Sequence, residues 1–513
     1  MHSALPISLI AVITFLILRR LTGASRRVPS LPPGPKGLPL IGNLRDIANR
    51  QNLLWETYAQ WAQRYGDVFH LDVFGAHTIV LNSHEAITDL LEKRSHNYSD
   101  RPEMPMLHDL VGGKWQIAFM RYSDSWRLHR KTFHQSFQPS NLPEYHEIQR
   151  NEAISLMEKL TASPQDLIEH VNHYTGSIVL KVIYGYNLQA KDDPYLKLMH
   201  KAVEGLIPAM IHGSFWVDYL PILKHIPAWV PGATFKKKAA VWLRCTEALK
   251  EKPWEWVKQA VENGTAETSF CTSVTERLCV SLGDGSDTED MIKNAAFSAY
   301  AAGVETSVSA LMSFILAMTL HPECQLQAQK EIDSVVGPNH VPDFSDRDRL
   351  PYVNAIIAET LRWNPVTPLA LPHRALKDDV YSGYFIPAGS TIVGNAWAVL
   401  HDEKLYGPDV MEFNPDRFMK ADGSNPPNPE NYAFGFGRRI CPGKGFALNS
   451  FYLAVTHILA AFTVAKSLDE NGKEVVPEVK YSDGGTSHPM PFQCRFIPRS
   501  PNVIGNFEKR QNA

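Results

Sequence analysis

Phe434-Gly-Phe-Gly-Arg-Arg-Ile-Cys441-Pro-Gly443 is the stretch on which the reading of this chain turns. A lone cysteine is ordinarily a buried core thiol, but the neighbours of Cys441 argue for more. Gly437 and Gly443 permit a tight turn and close approach to a flat ligand. Pro442 suits the first turn of a helix, where a missing N–H costs nothing, and the apolar run 446–459 predicts that helix. Cys441 is then expected at a helix N-terminus, where unpaired N–H groups and the helix dipole favour a thiolate. Arg438 and Arg439 add positive charge. A stabilised thiolate is a nucleophile, a redox centre or a metal ligand, and the loop by itself leaves all three open.

The composition narrows the field. With 513 residues, 44 % hydrophobic residues and a net charge of −3, the chain reads as globular, with a large core and no basic surplus for nucleic acid. Six cysteines (Cys245, Cys271, Cys279, Cys324, Cys441 and Cys494) are scattered, without a C-x-x-C pair or a histidine at zinc spacing. That excludes a disulfide framework or structural zinc site and fits a reducing compartment. Residues 4–18 are almost wholly apolar and Arg19-Arg20 follow. The charge placement predicts an uncleaved single-pass anchor over 1–21 with the body on the cytosolic side; a cleaved signal core is the alternative. Two sequons, at Asn97 and Asn263, would carry glycans only if the body were lumenal. Residues 22–45, with Arg26-Arg27 and then Pro32, Pro33 and Pro35, predict a basic, stiff hinge, the alternative being a plain linker. No later segment demands a boundary, so 46–513 reads as one catalytic domain.

Within that domain the spacing predicts a helix over 52–66, two strands at 68–73 and 78–81, and then mostly helix for some three hundred residues. Residues 104–122 read as a long loop able to line a pocket. A helix over 123–137 places Trp126 and Arg130 on one face, either gripping an anionic group or forming a solvated basic face. The proline-broken apolar segment 206–230 is either core or a lid dipping into a bilayer interface. The long helix expected over 287–320 carries Gly303 in mid-course, at a cost of about 1 kcal/mol relative to alanine, which room for a ligand would offset. Beside it, Glu305 and Thr306 pair an acid with a hydroxyl, enough to hand protons into a closed pocket; alternatively Thr306 only bonds back to its own helix. On a helix over 351–363, Glu359 and Arg362 form a surface bridge or, with Arg417, a buried carboxylate–bis-guanidinium cluster pinning an irregular loop. A turn at 484–492 re-enters the core.

Taken in order, Trp126-x-x-x-Arg130, Ala302-Gly303-x-Glu305-Thr306, Glu359-x-x-Arg362, Pro415-x-Arg417-Phe418 and Phe434-x-x-Gly437-x-Arg439-x-Cys441-x-Gly443 resemble the motif succession of the cytochrome P450 family. The resemblance spans essentially the whole chain and is to membrane-anchored eukaryotic members, including fungal enzymes of secondary metabolism. It implies a mainly α-helical prism around haem, with a small β-rich side and an N-terminal transmembrane helix in the endoplasmic reticulum. Cys441 matches the axial thiolate of haem b iron. Phe434, Gly437 and Gly443 match the loop around it, and Trp126, Arg130, His373 and Arg439 the propionate partners. Gly303 matches the helix distortion beside the oxygen site, Glu305 and Thr306 the catalytic proton-delivery pair, and Glu359, Arg362 and Arg417 the structural triad. Residues 104–122, 366–371 and 485–487 fall where family members line the substrate pocket. The implied reaction inserts one atom of O2 into a lipophilic small molecule, such as a terpenoid or polyketide, by hydroxylation or epoxidation. A thiolate ligand favours O–O cleavage. Electrons are expected from NADPH through a diflavin reductase, with cytochrome b5 as an optional second donor. Arg127, Lys131, Arg438 and Lys444 offer a basic docking face, the alternative being a solvated one. A haem-thiolate isomerase or dehydratase and a non-catalytic haem-binding membrane protein are the alternatives; the intact Glu305–Thr306 pair weighs against both.

Overall fold

A computed structural model describes residues 29–211, 213–282, 286–338 and 340–500. The expected anchor, 1–21, and the hinge before residue 29 lie outside the described residues. At the centre runs the helix Ser286–Leu320. Asp287 and Glu289 in its first turn complement the positive end of the dipole. Beyond them apolar residues point to every side, and Phe297, Tyr300, Val304, Phe314 and Ile315 are fully buried. Its length and composition would suffice to cross a membrane, yet it is two-thirds buried inside the molecule, as an all-round apolar helix in a large core must be.

The helices Leu167–Tyr184 and Lys444–Ala461 pack against this axis, and Asp124–Phe137 and Pro194–Met210 close over it. Their ends follow local chemistry. Ser123 caps the first turn of Asp124–Phe137 by accepting from the Trp126 N–H at 3.2 Å, an interaction worth about 1 kcal/mol. Gly185, at φ 71°, ends Leu167–Tyr184 in the left-handed conformation. Pro351 opens Pro351–Trp363 at a position where no N–H is needed.

The β side is small. Strands β1 (Val68–Val73) and β2 (Ala76–Leu81) form a hairpin whose turn residues, Phe74 and Gly75, both have positive φ. After β3 (His373–Arg374) comes a separate hairpin of β4 (Asp379–Tyr381) and β5 (Tyr384–Ile386), and then β6 (Thr391–Gly394). The β1–β2 sheet continues through β6 to β3, with β2 and β6 parallel. Strands β7 (Phe462–Leu468), β8 (Glu474–Val475) and β9 (Cys494–Pro498) make a third sheet. The described part of the hinge lies on this side: Pro33 O accepts from His70 N at 2.8 Å and Ser30 O from Phe385 N at 2.9 Å. Asn97 is buried nearby, its side-chain oxygen accepting from Lys377 N at 2.8 Å and its amide donating to Lys377 O at 3.1 Å.

Two expectations change. The segment 104–122 is not a plain loop: it holds a π-helical turn, Met106–Leu110, and a 3-10 turn, Gly113–Trp115. The buried Asp218 carboxylate accepts the Met106 N–H at 3.0 Å, a cap supplied from 112 residues away and so invisible to local spacing. The segment 206–230 divides rather than choosing between core and surface. Leu206, Ala209 and Val217 are buried, whereas Trp216, Ile222 and Trp229 are 57 %, 71 % and 80 % exposed.

Candidate functional site

One cavity of about 330 Å³ lies between the central helix and the 434–443 loop. Cys441, Pro442, Gly443 and Phe434 line it on one side, and Gly303, Glu305 and Thr306 on the other. Trp126, Arg130, His373 and Arg439 line it as well, so these predicted residues share one space. Gly437 is the exception. Its neighbour across the loop is Leu91: a Cβ at Gly437, which has φ +53°, would stand 2.1 Å from Leu91 O. The glycine therefore admits the close approach of the Leu91 backbone. Gly443 has nothing within 4 Å of its Cβ position and borders the cavity itself.

Cys441 N–H donates to Phe434 O at 2.8 Å, which closes the loop. Burial pushes the Cys441 thiol up from its ordinary value, while the Gly443 N–H, Arg130 and Lys444 pull the other way without prevailing. The helix start contributes through the N–H of Gly443, the residue that precedes its first turn at Lys444. A cation at the sulfur would tip the balance toward thiolate.

The rim holds the opposite charge. Arg439 is buried and donates to Ser99 O at 2.7 Å and Met120 O at 2.8 Å, with its guanidinium 4.2 Å from the Trp126 ring centroid. Burial, aided by repulsion from Arg130, brings Arg439 down to about 9 despite the attraction of Asp100. Burial also lowers Arg130, which has no hydrogen-bond or ion-pair partner among the described residues. The His373 Nδ1–H donates to Tyr98 O at 2.6 Å; burial and then Arg101 and Arg439 hold the ring well below the usual histidine range. The buried Trp126 Nε1 has no hydrogen-bond partner among the described residues. Crowded guanidiniums, a neutral-leaning imidazole and an orphan indole N–H fit a group with two carboxylates at one edge, and a thiol awaiting a cation fits an iron at its centre. The residues fit haem.

Opposite Cys441, the Thr306 hydroxyl donates to Ala302 O and Ser307 to Gly303 O, each at 2.7 Å. Thr306 therefore presents an acceptor to the cavity. Glu305 Oε1 lies 3.0 Å from His488 Nε2, at ion-pair distance but without hydrogen-bond alignment. The helical assignment runs unbroken through Gly303. The close partner is Val179, whose Cγ2 would lie 3.1 Å from a Cβ at Gly303, so the glycine lets two helices approach beside the cavity.

Glu359, Arg362 and Arg417 stand apart from the cavity lining. Glu359 and Arg362 are fully buried, and Arg362 forks onto the carboxylate at 2.6 and 2.8 Å. Arg417 Nε reaches both carboxylate oxygens at 3.1 Å. The remaining N–H groups bind carbonyls of Leu400, Val410 and Glu412, tying the irregular tract before the cysteine loop to a helix. On the predicted docking face, Arg127 pairs with Asp124, Lys444 meets Glu430 at 3.1 Å, and Arg438 donates to the Tyr122 hydroxyl at 2.6 Å.

Arg101 escaped the sequence reading. It is 3 % exposed, lines the cavity beside Arg439 and donates to Ala118 O and Leu371 O, each at 2.7 Å. Within Ser-Asp100-Arg101-Pro it reads as half of a solvated pair; in fact Asp100 turns to Arg121 at 2.6 Å. Gln116 and Phe119 line the cavity from the segment 104–122, whereas no spacing rule joins His488 to Glu305, 3.0 Å away.

A thiol loop, a cationic rim and an acid–hydroxyl pair around one cavity define a haem-thiolate oxygenase, and the comparisons agree. The Cytochrome P450 family profile matches residues 32–493. A cytochrome P450 monooxygenase of Armillaria gallica is 44 % identical over 98 % of both chains. Cytochrome P450 monooxygenase 98 of Postia placenta is 40 % identical over 96 % of this chain and 94 % of its own. Tryptamine 4-monooxygenase of Psilocybe cyanescens is 38 % identical over 92 % of this chain and 94 % of its own. The chain belongs to the cytochrome P450 family and is a monooxygenase, which implies haem, O2, a redox partner and a small-molecule substrate.

Proposed function

We propose that this protein is a haem b monooxygenase of secondary metabolism that hydroxylates or epoxidises a lipophilic molecule. Its electrons come from NADPH through a diflavin reductase at the endoplasmic reticulum membrane. The observation that carries the reading is the opposition, across one cavity, of Cys441 to Glu305 and Thr306. Haem bound here supplies the activation of O2. Cys441 holds its iron; Arg130, Arg439, His373 and Trp126 orient its carboxylates; Thr306 accepts a hydrogen bond in the cavity and Glu305 carries protons toward it. The exposed Trp216, Ile222 and Trp229 support a membrane-facing lid through which a lipophilic substrate enters. One relative's name, tryptamine 4-monooxygenase, puts aromatic amines among the classes to try.

The test is reconstitution of the full chain with a reductase, following NADPH consumption and substrate loss under O2 and under argon. Product formation only under O2, with matched NADPH loss, is expected. Conversion under argon would establish an isomerase or dehydratase instead, and loaded protein with no turnover on any substrate class a binding role.

A further inference from the structure

The acid on the cavity wall has a companion outside it. Glu305 lines the cavity, and its Oε1 lies 3.0 Å from Nε2 of His488. His488 is not part of that lining, and 23 % of its side chain is exposed. Nε2 itself is buried, so the exposed part of the ring lies elsewhere. The imidazole therefore meets water on one side and Glu305 on the other. The two groups stand at ion-pair distance without hydrogen-bond alignment, so the carboxylate is not locked to the ring. A rotation closes the bond to His488, and another turns the carboxylate toward the cavity; such loose alignment is common before substrate is bound.

The turn that carries His488 is fixed by bonds that do not use its ring. Ser482 N donates to His488 O at 2.8 Å, and the Ser482 hydroxyl accepts from His488 N at 2.9 Å. From the central helix, the Ser309 hydroxyl donates to Ser487 O, and the Tyr481 hydroxyl donates to Ser313 Oγ at 3.1 Å. The fold thus holds residue 488 against Glu305, yet none of these bonds requires an imidazole there.

A second histidine faces the same carboxylate. Burial lowers His200, on the helix Pro194–Met210, from its ordinary value against the pull of Glu305 and Glu204. Its Nε2 is also engaged with Asn172 Oδ1 at 3.0 Å. A neutral-leaning ring with one nitrogen engaged is the weaker proton carrier of the two.

Monooxygenation consumes protons as well as electrons: RH + O2 + 2 e− + 2 H+ gives ROH + H2O. Resting on the monooxygenase reading above, we infer that His488 is the outer station of the proton path, a positioning residue that takes protons from solvent and hands them to Glu305. In each passage the Nε2–H bond of the imidazolium breaks and an O–H bond forms on Glu305 Oε1. The neutral imidazole left behind takes a proton back from water. Two passages serve one turnover, and the electrons come from the redox partner.

The experiment uses the haem-loaded full chain with a diflavin reductase and two probes, 7-ethoxycoumarin and limonene. Each variant is driven by NADPH and O2, in H2O and in D2O. It is driven separately by hydrogen peroxide, which brings its own electrons and protons (RH + H2O2 gives ROH + H2O). His488→Gln should slow NADPH-driven product formation at least about fivefold, less than the full effect of an acid–base group, and enlarge its solvent isotope effect. Peroxide-driven product formation and the Soret shift with each probe should stay at the parent's level. His488→Asn serves as a second variant if the first does not load haem. A readout independent of turnover is deuterium uptake at the ring carbon between the two nitrogens, followed by mass spectrometry, because this exchange needs an imidazole that is protonated and reached by water. Uptake at His488 should be at least about tenfold faster than at the buried His373, and slower in Glu305→Gln than in the parent. Equal losses under both drives would mark a merely structural role and overturn the inference. So would an unchanged isotope effect, uptake at His488 no faster than at His373, or a larger loss in His200→Gln. The uptake needs no turnover, so it decides the matter even where neither probe is oxidised. Loss of the thiolate–carbon monoxide signature in the parent protein would instead overturn the reading beneath it.

Discussion

The wall that carries Cys441 and the wall that faces it are built on different principles. Behind the cysteine, irregular backbone is locked by buried ions: Glu359 has two guanidiniums on one carboxylate, and their spare N–H groups hold loop carbonyls. The facing wall is regular helix and short turns, held by aliphatic contact and a few long-range ties such as Asp218 to Met106 N. Directional bonds fix atoms to within fractions of an ångström, as a metal ligand requires. Aliphatic contact is non-directional and tolerates exchange of one side chain for another of similar volume. The first wall is held by directional bonds, and the second, which also carries Glu305 and Thr306, largely by apolar contact.

The sharpest way to break this contrast is Cys441→Ser, which should abolish turnover and the thiolate signature of the reduced carbon monoxide complex; an unchanged spectrum would remove Cys441 as the ligand. Next comes Glu359→Gln. Leaving two buried guanidiniums with a neutral partner should cost about 3–5 kcal/mol, seen as lost haem content and a much lower unfolding midpoint.

On the facing wall, Asp218 offers a test through pH. Burial raises its carboxyl from 3.8 to about 7, against the pull of the Met106, Gly213 and Phe215 N–H groups. The native state therefore keeps a proton that the unfolded chain has released. Stability contributed at this site should fall as pH rises from about 4 through about 7. Asp218→Asn should flatten that part of the melting-temperature profile; an identical profile would show that the carboxyl is not buried as described.

The smaller effects come from two glycines of the cysteine loop. Gly437→Ala meets Leu91 O and an unfavourable φ and should cost about 1–3 kcal/mol in thermal unfolding. Gly443→Ala has open space at its Cβ and should stay within about 0.5 kcal/mol. Equal effects would mean that the loop does not rest on Leu91.

The first wall was largely legible in the sequence because its parts are close in the chain or bound by strict spacing. Glu359 and Arg362 are three apart on one helix, and the loop from Phe434 to Gly443 is contiguous. The helices over 287–320, 351–363 and 446–459 were legible for the same reason, each within two residues of its observed bounds. What escaped is non-local. Arg101 owes its place to carbonyls at 118 and 371, Met106 to a carboxylate at 218, and Glu305 to a histidine at 488. Gly437 is a close-approach position, and the backbone it lets in, that of Leu91, is far away in the chain.

The bidentate grip of Asn97 on Lys377 has a consequence for topology. Its carboxamide nitrogen, the atom that accepts a glycan, is sequestered once the chain folds, so Asn97 is a poor reporter of compartment. Asn263 sits exposed at the end of Thr234–Glu262. A glycosidase shift in the folded protein would therefore trace to Asn263, and that one residue reports whether the catalytic body has met a glycosylating lumen.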